Sequence, residues 1–514
     1  MGIGEFMKIN KKRILLLLII LMFVCVIIVA CGDGGSSENP NNTDSAGVGQ
    51  QNDENKSGDS SASGDGEYNY PDIDGKGKKL LVLNATNEWG FYCNMDFEEE
   101  PGELLETAIY NRNRFIEEKF NITLNIQEID MWVIYANFRT RIYSGMDVFD
   151  IAYMPGSVWD RSKQQVIGGL ATEGLLADLT QINSINLEGK WWNQTSRQES
   201  LINKKLFFAE NDIHIMTLQT MSCVYFNKDM MTNLGLELPY GMVRGGTWTF
   251  DRLLEYQKAG MNLNGADMFA TKASNPSVYG LTASETNAPA LLLGSKEKFV
   301  VMDANGYPQL AAGGDRWMNV IDKMHEIFNG PIGMYCQGNN PGYESDCAQI
   351  FKNGKALAML GELRQSTESL RAMDTDFGIA PMPKYDEKQD GYYNLRFHLI
   401  PLAIIPFNSE NPEFAGAVLD AWAYKSYKDV TPVLFDVAVS HKGLRDEDSI
   451  DMLQIVRDSG SFCVGMIYGW TTNLFTSIQD TLGFGKKFNA ASQIEKLRDT
   501  MQGNIDKTME FFEE

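Results

Sequence analysis

The sequence predicts an α/β protein of two lobes that follow a flexible N-terminal segment, and three observations lead there. The chain has 514 residues, 43% apolar and 22% charged, which leaves room for more than one hydrophobic core. From Lys78 onward, short β-branched runs alternate with amphipathic helical stretches, the rhythm of largely parallel sheets covered by helices. Residues 32–75 are Gly, Ser, Asn and Asp almost throughout. Such a segment cannot offset the entropy of ordering itself and reads as a disordered, self-repelling tether.

Each element follows from its pattern. KKLLVLNAT (78–86) is a compact β-branched run and predicts a strand. Residues 103–120 place Leu104, Leu105, Ala108, Ile109, Phe115 and Ile116 at helical spacing. ITLNIQEI (122–129) alternates as a second strand, residues 131–143 read as a helix, and DVFDIAYM (147–154) as a third strand. The rhythm returns with the strand CVYFN (223–227), a helix over 248–260, and the strands ALAML (356–360) and FGIAPMP (377–383). LIPLAIIP (399–406) is a further apolar run. The tail from 449 to 514 is helical by pattern, broken near Gly460 and at Gly483–Gly485. No repeat of fixed period is visible.

Charge and motif content exclude several functions. Asp and Glu number 68 against 45 Lys and Arg, a net −23, so the surface repels phosphate backbones and nucleic acid is not expected as a partner. The four histidines, His214, His325, His398 and His441, contain no i, i+4 pair. The cysteines form no C-x-x-C. Cys336 and Cys347 are close enough in sequence to pair across a loop or to remain thiols. No G-x-S-x-G, H-E-x-x-H, P-loop or G-x-G-x-x-G string occurs. A pair of carboxylates acting as a glycosidase is not ruled out by so acidic a composition, but no motif supports it. The expectation is therefore a protein that is not an enzyme and uses no cofactor. Asp446-Glu447-Asp448 stands where a helix should begin and reads as a cap, and no calcium loop is present, so no metal is assigned.

The N-terminus carries export signals. Residues 1–6, MGIGEF, read as an appended leader before a natural start at Met7. Lys8, Lys11, Lys12 and Arg13 precede an apolar run from Ile14 to Ile28, short for a membrane span but suited to a signal peptide over 1–30. Ile28-Val29-Ala30-Cys31 resembles the lipobox of bacterial lipoproteins. That resemblance implies lipidation at Cys31, a tether over 31–77, and a lipid-anchored protein on the extracellular face of the cell membrane. An uncleaved anchor helix is the alternative.

Five strings in order carry a second resemblance: GGLATEGLLADLT (168–180), KKLFFAENDIHIMTLQTMSCVYFNKDMMTNLGL (204–236), GGTWTFDRLLE (245–255), FKNGKALAMLGE (351–362) and DFGIAPMPKYDEKQDGYY (376–393). Each is weak alone; together they resemble the family 1 extracellular solute-binding proteins of ABC importers, the maltodextrin-binding-protein-like group in its long Gram-positive form. Leu206-Phe207-Phe208 departs from the family's usual tyrosine. The resemblance implies a periplasmic-binding-protein type II fold. Its three hinge crossovers fall near Gln219–Met221, His398–Pro401 and Ser440–Leu444. An N-lobe of 78–219 plus 400–442 and a C-lobe of 220–399 plus 443–514 follow. It further implies a monomer that captures a carbohydrate, an oligosaccharide, between its lobes and delivers it to an ABC permease. A peptide, polyamine or phosphate ester is the alternative solute; an adhesin is a further one.

Sugar recognition needs flat apolar faces and planar polar groups. By family position, the implied ligand contacts are Glu88 and Trp89 after the first strand, Tyr153 and Trp159 at and beyond the third, Gln219 at the first crossover, Glu285 after YGLTAS, and Trp470 near the C-terminus. Each has a packing role as its alternative. Trp191, Trp192 and Trp248 read as structural.

Overall fold

The computed structural model describes residues 68–87, 95–146, 148–160, 163–269, 276–329, 334–337, 344–439, 444, 446–461 and 463–513. The signal peptide, Cys31, most of the expected tether, Glu88, Trp89 and most of the third expected crossover lie outside these residues. No helix among the described residues is long and apolar enough to cross a membrane.

Two sheets organise the chain. The first is built from β1 (Lys78–Thr86), β2 (Ile122–Asp130) and β3 (Ile151–Pro155), all parallel to one another. The second contains β4 (Ser222–Asn227), β5 (Tyr279–Ser284), β6 (Met334–Gln337), β7 (Ala356–Glu362) and β8 (Phe377–Ala380), in the order β6-β5-β7-β4-β8. Then β9 (Pro401–Ile404) returns to the first sheet and pairs antiparallel with β3, giving the order β9-β3-β1-β2. The third expected strand is shorter than its apolar run, because Asp150 ends the approach to it. Its carboxylate accepts from Leu81 N at 2.8 Å and from Lys78 Nζ at 2.6 Å, which fixes the register of β3 on β1.

Helices cover both sheets. Those used below are α1 (Leu104–Phe120), α2 (Ile134–Ser144), α3 (Phe250–Gly260), α4 (Asp315–Asn329), α5 (Pro412–Asp429), α6 (Glu447–Asp458) and α7 (Ala490–Glu513). α1 buries a mixed face: Ile109, Ile116 and Phe120 with Arg112 and Asn113, while Leu104 is exposed. Arg112 is tolerated because its donors reach Ile213 O (2.8 Å), Ser426 Oγ (3.2 Å), Met95 O (3.1 Å) and Asn113 Oδ1 (2.9 Å), and because it lies over the Trp422 ring. Burial still pushes its pKa down to about 10. The acidic run at 446–448 begins α6 as a cap: Asp446 accepts from Ser449 N at 2.7 Å.

The chain passes from the first sheet to the second between β3 and β4, and back between β8 and β9. It crosses again after α5, which packs on α1, to reach α6, which packs on β8. One expectation changes. The tether is expected to reach residue 77, but within its last ten residues Tyr68 and Tyr70 pack against the helices of the first sheet, while 72–74, 76 and 77 are exposed. Tyr68 stacks on Tyr424 (4.4 Å, 17°), meets Trp191 edge-on, and donates to Asp420 Oδ2 at 2.9 Å. Asp420 Oδ1 also accepts from Trp191 and Trp192 Nε1, both at 2.8 Å. Two aromatic residues at the end of a polar stretch supply the apolar area that the rest of it lacks.

Candidate functional site

Strand ends from both sheets meet at the crossovers. β3 runs into the second one: Gly156 N donates to Ile400 O and Ser157 N to His398 O, each at 3.0 Å. β7 runs into the first: Leu363 N donates to Met221 O at 2.9 Å. Two small crevices open there, lined between them by Thr220, Ser284, Thr286, Asn287, Glu362 and Phe397. Open α/β sheets bind ligands at such strand ends.

The groups present are those of polyol chemistry. Arg364 Nε donates to Glu362 Oε2 at 2.8 Å, with both side chains 15% exposed. Glu362 also caps the short helix Leu363–Ser366, where its backbone N–H reaches Gln365 Oε1 at 3.0 Å. Ser284 Oγ lies 2.7 Å from Thr286 Oγ1, and Asn287 Oδ1 accepts from Ser284 N at 2.8 Å. A fixed carboxylate, a guanidinium, hydroxyls and an amide can pair with adjacent sugar hydroxyls as donors and acceptors. Phe397 adds an apolar face, and half-buried His398 sits 4.3 Å from it. Burial holds the His398 pKa down to about 4, so its imidazole is neutral at neutral pH.

The sequence-predicted residues divide. Gln219 ends the turn Met216–Gln219, half-buried at the first crossover beside Thr220. Trp159 lies in a short strand paired with Gln164; its side chain is outside the described residues. Tyr153 is fully buried and donates to Asn211 Oδ1 at 2.9 Å. Burial raises its hydroxyl pKa far above the ordinary value. Glu285 is 2% exposed, and its backbone is packed against Gly483, where a Cβ would meet Glu285 O at 2.4 Å. Trp470 is 1% exposed, donates to Thr508 Oγ1 at 2.8 Å and stacks on Tyr468 (4.6 Å, 11°). The structure thus leaves Gln219 at the first crossover, one residue before the crevice-lining Thr220, and places Tyr153, Glu285 and Trp470 in packed interior.

The lining residues that sequence reasoning missed are Thr286, Asn287, Glu362 and Phe397, with Arg364 paired to Glu362. One signal was available: GELR follows directly on a strand, so its charged pair had to stand at the strand's C-terminal end.

Two chain-wide comparisons find solved structures built the same way. The lacto-N-biose-binding protein of a Bifidobacterium longum ABC transporter superimposes with a TM-score of 0.54 at 10% identity, covering 85% of this chain and 98% of its own. The cyclic α-maltosyl-1,6-maltose-binding protein of Arthrobacter globiformis gives 0.54 at 12%, covering 84% and 99%. The chain has the fold of ABC-importer solute-binding proteins. A third structure sharing it, UgpB of Mycobacterium tuberculosis in complex with glycerophosphocholine, gives 0.51 at 12%, covering 81% and 99%. No protein-family model and no curated protein matches the sequence. At such identities the alignment speaks for backbone topology; the side chains of this solute-binding fold are argued from the crevice itself.

Proposed function

We propose that this chain is an extracellular solute-binding protein of an ABC importer, held to the cell membrane by lipid on Cys31, that captures an oligosaccharide and delivers it to a permease. It performs no covalent chemistry. The observation that carries the reading is the group of polar side chains at the strand ends of the second sheet, Glu362, Asn287 and Thr286, beside the first crossover at Thr220, with Arg364 held on Glu362. That arrangement suits a hinged grip on a hydroxyl-rich solute. The carbohydrates bound by structures of the same fold support it. A phosphodiester headgroup is the second reading, because the same fold holds glycerophosphocholine in UgpB.

The test is a thermal-shift and calorimetry panel of α-glucan, cyclic and galactose-containing oligosaccharides, with glycerophosphocholine as a separate arm. A ligand at 100 times its Kd adds about 2.7 kcal/mol to stability, a shift easily read. A response to sugars supports the carbohydrate reading. A response to the phosphodiester alone replaces it with the second reading. Sugar hydrolysis abolished by one carboxylate substitution would overturn both.

A further inference from the structure

A polar cavity of ≈ 410 Å³ lies where the edge of the first sheet meets α6, away from the strand-end crevices; Trp192, Asp212, Arg396, Tyr427 and Arg457 are among its walls. Two ion pairs cross the lobe junction there. Glu210 sits on the segment whose Ala209 pairs with Ala403 of β9. It meets Arg396, which bridges to Met221 and lies on the second-lobe side; the two side chains are 1% and 5% exposed. Asp212 accepts from Arg457 of α6 at 3.2 Å and from Thr431 Oγ1 at 3.0 Å. Gln454 holds Asp458 at 2.9 Å. Most lining groups are thus already partnered within the chain, which makes the cavity a joint more than a ligand pocket.

We propose that Glu210–Arg396 and Asp212–Arg457 form an ionic joint between the lobes, and that proton uptake at Asp212 shifts the lobe-opening equilibrium. The proposal rests on the hinged-binder reading. The groups around Asp212 are Arg457 and Asp458 from α6, Arg396 from just before the second crossover, Tyr427 from α5, Lys190 from the preceding loop, and Glu210 and His214 from its own segment. Burial raises the Asp212 pKa to about 6, opposed by Arg457 and by the Thr431 hydrogen bond. His214 is held down to about 3 and Arg396 only to about 9, so neither changes charge between pH 5 and 7.5.

The sign follows from linkage. An Asp212 wetted by separation of the joint would titrate near 4, the ordinary carboxylate value. The joined arrangement binds the proton more tightly, so acidification through pH 6 favours it and rising pH weakens it. Between pH 7.5 and 5 the shift is about tenfold in the ratio of joined to separated states.

Small-angle scattering of the full ligand-free chain from pH 7.5 to 5 tests this. The expected result is a change in the profile on acidification, corresponding to a shift of about tenfold toward the joined arrangement. Asp212→Asn, isosteric and permanently neutral, should give the low-pH profile at both pH values. Arg457→Met removes the cation that opposes burial and should move the midpoint upward. A wild-type profile unchanged with pH, a surviving shift in Asp212→Asn, or an unmoved midpoint in Arg457→Met overturns the proposal. Silence in the sugar panel with the scattering shift intact would remove the carbohydrate reading and leave the joint standing.

Discussion

Two of the regions through which the lobes touch, among the described residues, have opposite character. In one, Phe207 meets Phe511 and Phe512 with ring centroids at 5.6 Å, and Phe208 lies 5.5 Å from Tyr468. Tyr468 also presses on Gly168, where a Cβ would come within 2.2 Å of its ring; only a residue without a side chain admits that approach. In the other region the contact is the Glu210–Arg396 and Asp212–Arg457 pairs. The apolar seam gains free energy in proportion to the area and volume it fills, independently of pH. The ionic joint loses solvation for each charge it buries, so its net contribution is small although breaking it is costly. One region supplies strength, the other responds to conditions.

The largest effect is expected in the seam. Phe512 is fully buried, and Phe512→Ala should cost about 4 kcal/mol in urea unfolding, with no dependence on pH between 5 and 7.5. A loss below about 1 kcal/mol would show that the seam is not packed core. In the joint, Glu210→Gln leaves a buried guanidinium without its counter-charge and should cost about 3 kcal/mol. The double variant Glu210→Gln with Arg396→Met should recover most of that loss, because the stranded charge is gone. A double-mutant cycle reads the coupling directly; additive losses would mean that the two residues do not act as a pair.

How far the sequence disclosed this depended on which force dominated. The strand at 78–86 has the same bounds in sequence and structure, and 122–129 falls one residue short, because the first is a continuous apolar run buried on both faces and the second alternates where it begins. β6 and the second-lobe crevice were not legible. MYCQ is a short segment with no period, and Glu362 becomes a neighbour of Asn287 only through sheet pairing of β5 with β7. The joint was equally hidden: Glu210 and Arg396 are 186 positions apart, and in an acidic chain no single carboxylate stands out. The tether's packed end was missed because polar context masked two tyrosines. Leu206-Phe207-Phe208 marked a place where packing would differ, and that is where the seam formed.

The smallest predicted effect bears on the most exact expectation. Tyr153, expected to end the third strand and stack a ligand, stands instead in the middle of β3 opposite Asn84, buried with its hydroxyl on Asn211 Oδ1. That oxygen also accepts from Ile213 N at 3.1 Å, so removing the tyrosine hydroxyl does not strand it. Tyr153→Phe should therefore cost about 1 kcal/mol of stability and leave affinity for any solute found by the panel unchanged. Unaltered stability with a clear loss of affinity would return Tyr153 to the ligand site, and would mean that the first sheet opens at this point when the solute enters.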